Sequence, residues 1–130
     1  MDTMTEMFGE PISIYTWAQA INDGQLIDVS ESAREAGIRY PVAVTPGVWE
    51  WIDPRPMPGC QDMAGRLWDV LTMLRYGIRR SQGGMARVSV LFAGGPGLRG
   101  RTKRRVEMVA ICGPGDDAEP VITIQLADGR

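Results

Sequence analysis

The feature that most constrains the fold is a long amphipathic stretch covering residues 61–80. Apolar side chains recur in it at intervals of four, three and four residues: Leu67, Leu71, Leu74 and Ile78. This spacing places them on one face of an α-helix. Arginines cluster at Arg79 and Arg80, where the helix dipole favours cations. The stretch therefore predicts a helix whose apolar face must be buried against another element.

Three segments of β character follow this helix, at residues 86–93, 106–112 and 121–126. Val88, Val90 and Phe92 alternate with other side chains, and glycine- and proline-rich loops separate the segments. An antiparallel sheet whose apolar face packs on the long helix is the economical assembly. We predict a single α+β domain over residues 1–130, with an antiparallel sheet of three or more strands packed on one long helix.

The N-terminal half carries signals for short elements. Thr16 can cap a helix through Ile21, a second helical turn covers residues 31–36, and Thr45 with Pro46 marks a third helix start. Residues 25–29 and 41–44 read as short extended segments. Four breakers in residues 53–59 predict a connecting loop. Short helices are therefore expected before the long one.

Composition removes several kinds of chemistry. The chain has 130 residues and no histidine, which excludes Ser-His-Asp and Cys-His triads and histidine-ligated zinc. Cys60 and Cys112 form no CxxC motif, so we expect both thiols to be packed as small apolar groups. The carboxylates of residues 116–119 do not have EF-hand spacing and predict a solvated turn. We predict no metal and no cofactor.

The opening residues lack the basic and apolar regions of a signal peptide, and no apolar run reaches the ~18 residues of a membrane span. We therefore expect a cytoplasmic protein that makes no contact with a membrane. The sequence does not indicate an oligomeric state.

Charge is segregated along the chain. The net charge is −2, yet residues 1–65 carry −7, residues 66–105 carry +9 and residues 106–130 carry −4. Five cations are concentrated after a glycine-rich segment, with two more at the end of the long helix: Arg99, Arg101, Lys103, Arg104 and Arg105, with Arg79 and Arg80. The protein's own acidic elements, a nucleic-acid backbone or an acidic protein surface could neutralise them. We predict that these seven residues contact a partner.

Residues 95–100 match the letters of GxGxxG, but a basic segment and a strand follow them instead of a helix. We therefore interpret them as a flexible hairpin connection. Trp17 and Trp68 fall in amphipathic helices and are expected in the core. Trp49 and Trp51 lie two apart on a short helical turn, so both cannot easily face one interior, and we predict them as a second partner-binding site.

Four runs of the sequence resemble an uncharacterised family of short bacterial proteins: residues 8–30, 33–37, 65–71 and 112–117. Members of such families are typically carried on plasmids, phages and other mobile elements. The resemblance implies that setting but no catalytic residue, because no activity of the family is known.

Proteins from this setting often disarm host defence. We expect a binding protein that inhibits a bacterial defence nucleoprotein complex by occluding its surface, in the manner of an anti-CRISPR. One alternative is a nucleic-acid-binding accessory or regulatory protein of a plasmid or phage. Another is a transferase-type enzyme using Glu31, Glu35 or Glu50 as a carboxylate acid or base.

Overall fold

The computed structural model describes residues 16–54, 63–81 and 83–130. Nine elements follow one another along the chain: α1 (Trp17–Asn22), β1 (Ile27–Asp28), α2 (Ser30–Glu35), β2 (Val42–Val44), α3 (Pro46–Ile52), α4 (Met63–Arg80), β3 (Met85–Ala93), β4 (Lys103–Pro114) and β5 (Pro120–Leu126). The predicted class is confirmed, since one α+β domain has its long helix packed on a sheet and its short helices in the N-terminal half.

Helix α4 forms where the apolar stripe predicts it. Leu67, Leu71 and Leu74 are buried, and Ile78 is half-buried against the same cluster. Strand β3 supplies much of the opposite surface, because Val88, Val90 and Phe92 all face the core. Each buried side chain of this size contributes roughly 1.5–3 kcal/mol to folding. The helix and the sheet therefore bury each other's apolar faces.

The sheet has five strands in the order β1-β2-β5-β4-β3. Strands β3, β4 and β5 form the predicted antiparallel meander, with Val90 opposite Val106 and Ala110 opposite Ile124. Strand β2 pairs with β5 in parallel, which the sequence did not predict. A sheet with one parallel pair needs a long crossover between the paired strands, and here α3, α4 and the β3–β4 hairpin provide it.

Local hydrogen bonds fix the short helices. The Thr16 hydroxyl accepts from the backbone N–H of Gln19 at 3.0 Å, and the Gln19 side chain accepts from the backbone N–H of Thr16 at 3.0 Å, which completes a capping box. Thr45 caps α3, and Pro46 stands in its first turn, as predicted. The carboxylate of Asp28 accepts from the backbone N–H of Ser30 at the start of α2.

Arg66 is fully buried beneath the turn between β3 and β4. Its guanidinium donates to the carbonyls of Trp51 at 2.6 Å, Ala93 at 3.1 Å and Gly94 at 2.9 Å. The same group lies 4.6 Å from the centre of the Phe92 ring, which adds a cation–π contact. This side chain therefore joins α3, α4 and the end of β3.

Two expected core residues lie at the surface instead. Trp68 is 49% exposed, because it falls on the outer side of α4 while Leu67 and Leu71 face inward. Cys112 is exposed near the end of β4, so the expectation that its thiol is packed was wrong. Trp17 is half-buried. Cys60 lies outside the described residues.

Candidate anion-binding surface

The five clustered cations lie at one end of the β3–β4 hairpin. We name Arg99, Arg101, Lys103, Arg104 and Arg105 the basic hairpin. Arg99 and Arg101 belong to the connecting turn. The sequence predicted all five in a loop, but Lys103, Arg104 and Arg105 begin strand β4 instead. Because the antiparallel pairing extends to Ala93 opposite Lys103 and Leu91 opposite Arg105, a hydrogen-bonded strand presents part of the charge.

All five side chains of the basic hairpin are exposed. Among the described residues, Arg99, Lys103 and Arg104 form no ion pair, and their side chains have no hydrogen-bond partner there either. Arg105 donates to the Ser89 hydroxyl at 3.3 Å, and that hydroxyl donates to Glu107 at 2.9 Å. The acidic parts of the chain that the structure describes therefore leave most of this charge uncompensated.

Hydrogen bonds close the turn that carries Arg99 and Arg101. The backbone N–H of Gly94 donates to the carbonyl of Thr102 at 2.8 Å, and the Thr102 hydroxyl donates to the carbonyl of Arg99 at 2.7 Å. Gly95 lies against the ring of Trp51, where a Cβ atom would overlap the ring. The predicted role of residues 95–100 as a hairpin connection is confirmed.

Arg79 and Arg80 lie at the other end of the sheet. Helix α4 places Arg66 beside Ala93 and Gly77 beside Arg87, so the C-terminal turn of α4 approaches the start of β3. Both arginines are exposed. The seven cations predicted to contact a partner therefore form two separate groups, with Arg79 and Arg80 apart from the basic hairpin.

The tryptophans of α3 occupy different environments. Trp51 is 9% exposed and stacks with Phe92, their ring centres 5.6 Å apart, so it belongs to the core and is not an exposed anchor. Trp49 is half-buried and packs against the same core. The expectation that both cannot face one interior holds only in part, because the core reaches both sides of this short helix.

The carboxylates considered for catalysis are all on the surface. Glu31, Glu35 and Glu50 are exposed. The transferase alternative therefore has no buried acid or base at these positions. Among the described residues, no group of three potential metal ligands is found. An ion pair of 2.8 Å joins Asp128 to Arg130, and the hydrogen bond from Arg130 holds the pKa of Asp128 below its usual value.

One acidic side chain of the β4–β5 turn has a structural partner that the sequence did not reveal. Asp116 accepts from the backbone N–H groups of Trp17 at 2.8 Å and Ala18 at 3.1 Å. These contacts span about a hundred residues of sequence, so no local pattern could have indicated them. The predicted solvated turn is therefore also an anchor for α1.

No family model matches the chain, and no curated protein or solved structure is significantly similar to it. The resemblance to a mobile-element family accordingly stays an expectation. None of the described helices has the length and apolar character needed to cross a membrane.

Proposed function

We propose that this protein acts by binding, and that the basic hairpin contacts a negatively charged surface of a host nucleoprotein complex. The observation that supports the proposal is that Arg99, Lys103 and Arg104, on a hydrogen-bonded turn and strand, have no ion-pair partner among the described residues. Five cations within seven residues repel one another, and an anionic partner relieves that repulsion. Binding is thus favoured by the fold's own electrostatics.

The internal contacts of the hairpin support the same function. Thr102 pins the turn, and Leu98 packs against the core, so the cations need little further ordering when they meet a partner. A preorganised surface loses less conformational entropy on binding than a mobile loop does. The narrower proposal, inhibition of a defence complex in the manner of an anti-CRISPR, rests on the family resemblance.

The first experiment is a charge-reversal pull-down from nuclease-treated bacterial lysate. The variant Arg99→Glu/Lys103→Glu lowers the charge of the basic hairpin from +5 to +1. The matched control Arg34→Glu/Arg39→Glu makes the same change in net charge on exposed residues elsewhere. We expect the control to retain the partner and the hairpin variant to lose it. Equal retention by both would contradict the proposal.

Nucleic acid alone is tested with labelled single- and double-stranded DNA. A protein that neutralises phosphates loses affinity as salt rises, with a slope of log K against log salt of about −0.9 per phosphate on duplex DNA. Because we place the contact on a nucleoprotein complex, we expect binding to free DNA to be weak. Tight binding with a steep salt slope would favour the accessory nucleic-acid-binding role instead.

The narrower proposal is tested in cells. A strain whose CRISPR system blocks a phage is made to express the protein, and plaque formation is counted. Restored plaques that disappear with Arg99→Glu/Lys103→Glu and persist with Arg34→Glu/Arg39→Glu are expected. If the wild-type protein restores no plaques against the CRISPR types tested, the anti-CRISPR assignment is wrong, although binding through the hairpin could still stand on the pull-down.

A further inference from the structure

A groove runs between the C-terminal half of α4 and the edge of β3, and it lies towards the end of the sheet opposite Arg99 and Lys103. Its volume is about 500 Å³, and Met73, Tyr76 and Met85 line it. These three apolar side chains are 37%, 55% and 55% exposed. Exposed apolar side chains gathered in one concave place mark binding surfaces more often than scattered ones do. The groove is therefore the first candidate for a second binding site.

Strand β3 offers this groove main-chain hydrogen-bonding groups as well. Among the strands that the structure describes, β3 has a neighbour only on the β4 side. The backbone N–H of Gly94 donates to Thr102, and that of Cys112 donates to Gly84, so the even-numbered residues of β3 exchange hydrogen bonds with β4. In an antiparallel pair the alternate residues point the other way. Ser89 and Leu91 therefore turn their N–H and C=O groups outward.

Helix α4 covers the outward main-chain groups of β3 at both ends of the strand. Gly77 lies so near the carbonyl of Arg87 that an added Cβ would stand 3.0 Å from the oxygen. At the other end, Arg66 donates to the carbonyl of Ala93. The open part of the edge is thus short, centred on Ser89, and lies next to the groove. An edge strand with open main-chain groups is a template for pairing with another chain.

Charge indicates what kind of chain would pair there. Arg80 and Arg87 line the groove beside its apolar residues. Both are exposed, and neither forms an ion pair with a carboxylate among the described residues. A segment with acidic side chains would neutralise them, and alternate residues of an extended segment point to opposite sides. Apolar residues could then face Met73 and Tyr76 while acidic residues face Arg87.

From these observations we propose that the groove between α4 and β3 binds an extended, acidic segment of a partner protein. The segment adds to the edge of β3 through the main-chain groups of Ser89. It places apolar side chains against Met73 and Tyr76 on the α4 side and carboxylates near Arg87 on the opposite side. A second copy of this chain is a poorer occupant, because edge-to-edge pairing of two β3 strands would bring the arginines of both copies together.

The probe is a fluorescein-labelled eight-residue peptide that alternates valine with glutamate, compared with a twin that alternates valine with lysine. Fluorescence anisotropy gives the affinity of each for the full-length protein. We expect the acidic peptide to bind and the basic twin not to bind. We also expect Arg87→Glu to weaken the acidic peptide by about tenfold or more, and exposed Arg34→Glu, which makes the same charge change elsewhere, to have little effect.

Main-chain pairing is tested separately from charge with two variants of one residue. Ser89→Ala and Ser89→Pro both remove the hydroxyl that contacts Arg105 and Glu107. Only Ser89→Pro also removes the outward N–H of this residue. Edge strands tolerate proline where the N–H faces solvent. We expect Ser89→Ala to bind the acidic peptide and Ser89→Pro to lose it. Amide exchange on the wild-type protein, which does not depend on any variant folding, should show slower exchange at Ser89 and Leu91 with peptide bound.

Several outcomes would overturn the proposal. They are equal affinity for the acidic and basic peptides, unchanged binding by Arg87→Glu, and unchanged exchange at Ser89 and Leu91 under saturating peptide. Concentration-dependent dimers in sedimentation that vanish with Ser89→Pro would show that a second copy occupies the edge instead. The pull-down with Arg99→Glu/Lys103→Glu tests the basic hairpin separately, because neither residue lines the groove.

Discussion

At the residue scale, one arginine of the cationic segment differs in kind from the rest. Arg66 is counted with the basic residues in the sequence, yet its guanidinium is buried and satisfies three backbone carbonyls. A planar group with five donors suits this task, since it can reach several acceptors at once. No charge pattern in the sequence distinguishes Arg66 from the exposed arginines. The distinction arises because position 66 lies next to Leu67, on the buried side of α4.

We expect Arg66→Met, which keeps similar bulk but has no donor, to lower the free energy of unfolding by at least about 3 kcal/mol, since three carbonyls would each lose a partner at about 1–3 kcal/mol. The free energy of unfolding of Arg66→Lys should lie between those of the wild type and Arg66→Met, because a compact ammonium group cannot reach all three carbonyls. The measurement is urea denaturation followed by far-UV circular dichroism. Exposed Arg79→Met is the control and should stay within about 0.5 kcal/mol of wild type. A stable Arg66→Met protein would show that the buried guanidinium is not a structural anchor.

At the element scale, the sequence predicted the long elements with a regular apolar pattern but not the pairing of the shortest strands. The stripe ending at Ile78 gave α4, and the alternation around Val90 gave β3. Strands β1 and β2 have two and three residues, too few to show which neighbour they pair with, so the parallel β2–β5 contact could not be predicted. Residues 103–105 looked like loop because they are cationic, but pairing with β3 continues through them. Tertiary contact, not local preference, determined these elements.

Helix α1 illustrates how a distant residue fixes an element. It has six residues, too few to be stable alone, and Asp116 accepts from the N–H groups of Trp17 and Ala18. We expect Asp116→Ala to lower the free energy of unfolding by about 1 kcal/mol, as for loss of a capping group. Amide exchange at Trp17 and Ala18 should become faster. Asp117→Ala removes the neighbouring exposed carboxylate and is the control. Faster exchange throughout the protein, rather than at α1, would mean that Asp116 supports the whole fold.

At the scale of the whole molecule, folding divides the cationic segment among three places. Arg66 enters the core, the basic hairpin projects from one end of the sheet, and Arg80 and Arg87 line the groove towards the other end. Arg87 stands opposite Val109, and residue 109 lies six positions from residue 103 (109 − 103) along β4. At about 3.4 Å per residue, Arg87 and Lys103 are about 20 Å apart along the sheet, whereas Arg105 lies nearer and donates to Ser89 at 3.3 Å. A segment that is one basic block in the sequence is therefore spread over both ends of the sheet, and the two proposed binding surfaces use different arginines of it.

This separation predicts how the two surfaces influence each other. The Debye length is about 8 Å at 0.15 M salt and about 30 Å at 0.01 M salt. Charges about 20 Å apart are therefore screened in the first condition and coupled in the second. We expect Arg99→Glu/Lys103→Glu to leave the affinity for the acidic peptide unchanged at 0.15 M salt and to weaken it modestly at 0.01 M. Arg87→Glu should weaken the affinity for the acidic peptide at both salt concentrations, because Arg87 lines the groove itself.

The measurement is the same anisotropy titration at the two salt concentrations, with wild type, each variant and the two combined. Free energies of distant sites that share no partner add to within about 0.3–0.5 kcal/mol, so the combined variant should show the sum of the two effects at 0.15 M salt. A hairpin reversal that weakens the acidic peptide as strongly as Arg87→Glu at 0.15 M would contradict this. The peptide would then contact both ends of the sheet, and one continuous basic surface would replace the two separate ones.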